Sequence, residues 1–363
     1  MLSDLKRVLS PKGIALMRAY RKEAKRRGMT FTDLLDAVTP EEELELARKA
    51  FGGPNMERWG LAPSSELVGE TSSGVPAIEA AVEAARRGKW EPAAEVLAES
   101  YGDWDRRARA MMSLADVAAD DDTWLTAWRA ARPEDRDIAV VDGEALMMLA
   151  WQLRGTARAN TTTAEQFGGF FRVLPKAEEV AEQAAKALPD DPTPWFSLVT
   201  IGRGLSYDHE RFGRVWQGVV DRAPLHRAAH VSALQYWCAK WRGSHERMFA
   251  FAEEAIEKSP SLSGLMVQAA YEFDDPKVWR QSNVQDGIEV LLAWLAGEGA
   301  NGLHVRDDLG WAAMALVDSG RAAEAHPLFQ RLGTYAGGAP WRYWDNSVLV
   351  FDQYRAKVVK AMR

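Results

Sequence analysis

Apolar residues recur at helical spacing along nearly the whole chain. In segment 13–28, Ile14, Met17, Tyr20 and Ala24 fall on one stripe and Arg18, Arg21, Lys22 and Lys25 on the opposite one, which predicts an amphipathic helix with a basic face. Such a face suits a membrane surface or an acidic partner; the plain expectation is a solvated face. Thr39-Pro40-Glu41-Glu42 then supplies an N-cap, a proline at the first helical position and a glutamate at the third, starting a helix that runs to Phe51. From Gly52 to Pro76 the periodicity lapses, and Pro63-Ser64-Ser65 and Thr71-Ser72-Ser73-Gly74 mark a linker or loosely packed strap.

Beyond Pro76 the pattern predicts paired helices: 77–87 with 91–100, 105–118 with 122–131, 137–154 with 174–188, 193–204 with 208–222, 226–241 with 245–258, 262–273 with 283–296, and 304–318 with 322–333. A last helix over 344–361 would cap the series. The chain therefore divides into a basic helical segment 1–51, a linker 52–76 and an array 77–363. Pro189, Pro224 and Pro260 stand 35 and 36 residues apart, each closing one helical run before the next, and a fixed period in that range marks a helical-hairpin array.

Gly320-Arg321 forms an inter-helix turn with Ala325 and Phe329 following, and Gly88, Ala93 and Leu97 repeat the spacing. Pro189-Asp190-Asp191-Pro192-Thr193-Pro194-Trp195, with Leu198 beyond, has the form of a repeat linker and first-helix opening, and Trp237 follows Pro224 where a large aromatic is expected. In these stretches the chain resembles the tetratricopeptide repeats. The resemblance implies an all-α fold, a right-handed α-α superhelix with a small helical N-terminal extension. It also implies a protein-interaction function, with a peptide or partner segment in an inner groove lined by the first helix of each hairpin. Carried over by register, the groove residues are Thr200, Arg203, Gln235 and Tyr271. Asp191 and Asp275, each before a proline, are expected to cap two helix starts.

Charge and composition narrow the partners. Residues 1–30 hold nine basic against two acidic side chains, +7, and since the whole chain is −7 the remainder carries −14. An acidic body argues against nucleic acid, which needs cations along the phosphates. The lone Cys238 fits a reducing compartment, and no run reaches the roughly eighteen apolar residues of a membrane span. We expect a cytoplasmic protein. Arginine outnumbers lysine 32 to 13, the mark of a high-GC, bacterial genome.

Chemistry is sparse, and no enzyme, cofactor or metal is expected. Cys238, His245, His226 and His230 could be imagined around zinc, but no CxxC or HExxH spacing supports it. Asp120-Asp121-Asp122 and Asp307-Asp308 lack the alternating ligands of a calcium loop. Two rival readings remain. One is an enzyme or small-ligand sensor whose pocket is walled by the 155–171 insertion and the 236–246 turn, with Arg158, Asn160 and Lys240 as ligand-binding residues. The other is a regulatory subunit that docks through its basic N-terminal strap. Most of the fifteen tryptophans are expected to fill inter-helix gaps.

Overall fold

The computed structural model describes residues 11–51, 54–155, 162–273 and 275–363. Among these are eighteen α-helices, seven short 3-10 turns and no strand, only an isolated bridge between Val68 and Tyr335. Two compact units emerge, Met1–Thr71 with His304–Arg363, and Ser72–Leu303. The linear division read from the sequence is thus not the division by contacts: the closing hairpin and last helix belong with the N-terminal residues.

The first unit holds α1 (Pro11–Arg27), α2 (Phe31–Ala37) and α3 (Pro40–Phe51), and its C-terminal part is described after the array. The expected capping box of α3 is present: Glu42 N donates to Thr39 Oγ1 at 3.3 Å and Thr39 N to Glu42 Oε2 at 3.2 Å. Tyr20 and Ala24 of α1 are buried with Leu34 of α2 and Leu46 of α3, whereas Ile14, expected on the same stripe, is exposed.

The second unit is a run of six helical hairpins: α4 (Pro76–Arg86) with α5 (Glu91–Glu99), α6 (Trp104–Asp120) with α7 (Thr123–Ala131), α8 (Asp137–Arg154) with α9 (Ala164–Ala187), α10 (Thr193–Gly204) with α11 (His209–Val220), α12 (Arg227–Trp237) with α13 (His245–Lys258), and α14 (Gly264–Glu272) with α15 (Ser282–Ala296). The first helices also touch in sequence, α4 on α6, α6 on α8, α8 on α10, α10 on α12 and α12 on α14. Each hairpin thereby covers the apolar face of its neighbour. Their spans match the expected pairs closely, with two exceptions: α12, expected to run to residue 241, ends at Trp237, and α9 starts early. Helix α9 starts at Ala164, ten residues before the expected 174, because Thr163 and Gln166 form a capping box. Pro175 is then an interior residue whose missing N–H leaves one carbonyl without its helical donor. Residues 164–171 of the expected 155–171 insertion are therefore the first two turns of this helix.

Inside this unit Arg107 is fully buried, and its guanidinium bonds three partners: it donates to Asp191 Oδ2 at 2.7 Å, Asp137 Oδ1 at 2.6 Å and the Leu97 carbonyl at 2.7 Å. Asp191 also accepts from Thr193 N at 2.8 Å. It sits one place before the N-cap Pro192, where the sequence reading had it as the cap. Asp275 does cap, but a short 3-10 turn, Pro276–Arg280. Trp124 and Trp128 are buried, and Trp128 stacks on Trp90 at 6.1 Å.

In the first unit, α16 (Val305–Asp318), α17 (His326–Leu332) and α18 (Ser347–Ala361) surround Trp341, which packs against Phe329, Phe351 and Tyr354. Residues 54–71 are tied to them. Val68 N donates to the Thr334 carbonyl and Ala336 N to the Val68 carbonyl, both at 2.8 Å. Ser64 Oγ donates to Asp352 at 2.8 Å, and buried Arg355 donates to the Ala62 carbonyl. The described part of the expected linker is therefore a bonded strap.

Candidate functional site

Four first helices of the second unit place their C-terminal side chains near one another, and local backbone chemistry fixes each end. Helix α8 stops at Gly155, φ 75°, whose N–H caps the Trp151 and Gln152 carbonyls at 3.0 Å each. Helix α10 ends in a Schellman turn: Tyr207 N donates back to the Gly202 carbonyl at 2.9 Å, with Ser206 in the left-handed region at φ 57°. After α12 the chain coils through residues 238–243, held by Trp241 N to the Cys238 carbonyl at 2.9 Å and Arg242 N to the Tyr236 carbonyl at 3.2 Å. A Cβ on Gly243 would lie 1.8 Å from the Trp237 carbonyl oxygen, so only glycine closes this coil. Arg242 then braces it to the preceding turn by donating to the Ser206 carbonyl at 2.5 Å.

These ends gather an aromatic pair and two guanidiniums. Trp151 and Trp241 meet edge to face, centroids 5.7 Å apart and planes at 85°. Phe170 of α9 closes on Trp151 from another side at 5.1 Å. Arg203 Cζ lies 5.0 Å from the Trp151 ring and 5.5 Å from that of Trp241, and Arg154 Cζ lies at 5.5 and 6.0 Å from the same rings. Each such contact contributes about 0.5 to 2 kcal/mol according to solvent access. Both cations also stand in the last turn of their helices, where the carbonyl ends favour positive charge. All four side chains are half-buried, so the cluster is partly open to solvent.

Beside it, Glu272 at the end of α14 accepts from Gln235 Nε2 at 2.8 Å and from Lys240 Nζ at 2.6 Å. Lys240 is half exposed, which limits that ion pair to under about 1 kcal/mol. Tyr271 is the half-buried neighbour of Glu272 on the same helix.

Of the residues expected in the groove, Arg203 lies in the cluster and Gln235 in the neighbouring network. Thr200 does not face out: it is buried and its hydroxyl is bonded to Ser232 Oγ at 2.7 Å, a packing contact between α10 and α12. Among the expected ligand-binding residues, Lys240 joins the Glu272 network, while Arg158 and Asn160 lie outside the described residues. Trp151, Arg154 and Glu272 were not singled out as site residues. A usable signal existed for Glu272, since Gln235 and Glu272 are 37 residues apart, one repeat.

The titratable groups nearby are structural. Burial pushes the Cys238 thiol up to about 12, reinforced by Glu272, and it donates to the Leu234 carbonyl at 3.4 Å. His230 packs on Trp216 of the preceding hairpin and on Phe251, and burial lowers its pKa to about 4. Asp121 holds the start of α7 through Thr123 N at 3.0 Å, and Asp307 accepts from Ala339 N at 2.9 Å. Among the described residues no group of three or more His, Cys, Asp or Glu could hold a metal ion, and no helix is long and apolar enough to cross a membrane. A cavity of about 350 Å³ lined by Asn55, Arg58, Trp59 and Arg363 belongs to the first unit. Comparison of the chain with family models, with curated proteins and with solved structures returned no match.

Proposed function

We propose that the chain is a tetratricopeptide-like interaction module, not a catalyst, which holds an acidic segment of a partner polypeptide at the C-terminal ends of α8, α10 and α12. The observation that carries this reading is the convergence of Trp151, Trp241, Arg154 and Arg203 on one partly open surface. Aromatic and arginine side chains dominate binding energy at protein interfaces, and a guanidinium stacked on an indole keeps the in-plane donor geometry that matches a carboxylate. The stepwise contact of successive first helices supports winding of the hairpins into a right-handed superhelix. Buried, reduced Cys238 suits the bacterial cytosol as its setting.

Affinity capture from native extract tests the reading, comparing wild type with Arg203→Glu. A partner held by wild type, lost by the folded variant and rebound in purified form by wild type alone supports it. Identical capture by both proteins refutes the assignment of the site.

A further inference from the structure

Helix α1 turns Tyr20 and Ala24 of its apolar stripe inward, where they are buried with Leu34 of α2 and Leu46 of α3. Facing outward are Ile14, 40% exposed, and exposed Arg18, Arg21, Lys22 and Lys25. Positions 14, 18, 21, 22 and 25 follow the three- and four-residue steps of a single helix face. Arg21 keeps its guanidinium 6.0 Å above the Phe31 ring. Neighbouring carboxylates are engaged elsewhere: Glu23 accepts from Arg26 and Arg27 at 2.8 Å each, Glu42 from Arg27 at 2.8 Å, and Asp33 from Thr30 N at 3.2 Å. Asp36 is a further exposed acid of α2, a helix that also carries Leu35, 47% exposed.

We propose that this face of α1 docks on an anionic lipid surface, with the four cations at the phosphate level and Ile14 in the headgroup layer. Clustered Lys and Arg on a helix are drawn to anionic headgroups, and long basic side chains reach the phosphates while aliphatic groups settle at the acyl boundary. A nucleic acid would match the cations but give Ile14 no apolar medium, whereas a lipid surface supplies anionic phosphates and an apolar layer together. The face differs from the inserted side of an ordinary amphipathic anchor because Tyr20 and Ala24 are already covered and Ile14 is the aliphatic side chain left on it. Binding is therefore electrostatic, peripheral and salt-sensitive.

Sedimentation of the full chain with vesicles of phosphatidylcholine, with and without phosphatidylserine, tests this. Each cation near such a surface brings about a fivefold gain in partitioning, so Arg18→Ala/Lys22→Ala/Lys25→Ala should weaken phosphatidylserine binding about a hundredfold. Its circular dichroism and melting should match wild type. Salt near about 1 M should release the wild type, and phosphatidylcholine alone should not retain it. Wild type that ignores phosphatidylserine vesicles, or a triple variant that binds them equally, overturns the proposal. So does capture by RNA or polyglutamate in place of vesicles, which would reassign the face to an acidic macromolecule.

Discussion

The ring edge of one indole meets the face of the other where Trp151, at the end of α8, and Trp241, in the coil after α12, come within 5.7 Å. Helix α10 lies between those two elements in the chain and sends Arg203 onto both rings. The contact locks three hairpins at one edge. A double-mutant cycle with Trp151→Leu and Trp241→Leu, read by denaturant unfolding, should give a coupling of about 0.5 to 1.5 kcal/mol. Additive single effects would mean the rings touch without supporting each other.

Buried Glu144 gives the fold a pH signature. Its Oε2 accepts from Ser197 Oγ at 2.5 Å, its Oε1 has no hydrogen-bond partner among the described residues, and burial pushes its pKa up to about 7. A carboxyl with a raised folded pKa is protonated in the fold at pH values where the unfolded chain has already ionised. Its contribution is therefore most favourable below about 4.5 and declines as pH rises through about 7, by about 3 kcal/mol in all. Glu144→Gln should flatten that decline, melting above wild type near pH 8 and close to it near pH 5. Parallel pH profiles for the two proteins would contradict it.

Much of this fold is written in periodicity. The spans of α4 to α8, α10, α11 and α13 to α15 follow the apolar pattern, although α10 and α14 are buried nearly all round and α12 stops at Trp237, short of the expected 241. The seven-residue α2 escaped that reading, since it is barely two turns long; its signal was the Thr30 and Asp33 capping box. Helix α9 is expected only from 174, although its capping box lies at Thr163 and Gln166 and Pro175 is interior. The regrouping of residues 304–363 depends on contacts such as Val68 with Thr334, which no local pattern encodes. At the site, register alone pointed to Arg203 and Gln235. Trp151 and Arg154 required knowing which helix ends meet, and tryptophans used for packing look no different in sequence from those at a surface.

Arg107 is bonded to Asp191, Asp137 and the Leu97 carbonyl with none of its surface exposed. Removing one partner of a buried ion pair strands the other, so Arg107→Met should destabilise by about 3 to 5 kcal/mol in chemical unfolding. A loss under about 1 kcal/mol would show that Asp191 is readily rehydrated or protonated.

Ser206 occupies the left-handed position of the turn after α10, at φ 57° and exposed. Glycine takes that conformation without the Cβ clash, so Ser206→Gly should raise stability by about 1 kcal/mol, seen as a higher denaturant midpoint at unchanged slope. No change in midpoint would mean the serine is accommodated without strain.

The central claim is that the tryptophan and arginine cluster recognises acidic polypeptide. Selection of displayed random peptides on the wild-type protein, counter-selected on Trp241→Ala/Arg203→Glu of verified fold, tests it most directly. The account predicts enriched sequences sharing Asp, Glu or a terminal carboxylate, whose synthetic forms alter tryptophan fluorescence of wild type and fail to bind the variant. Enrichment of basic or neutral sequences, or peptides that bind both proteins equally, would contradict it.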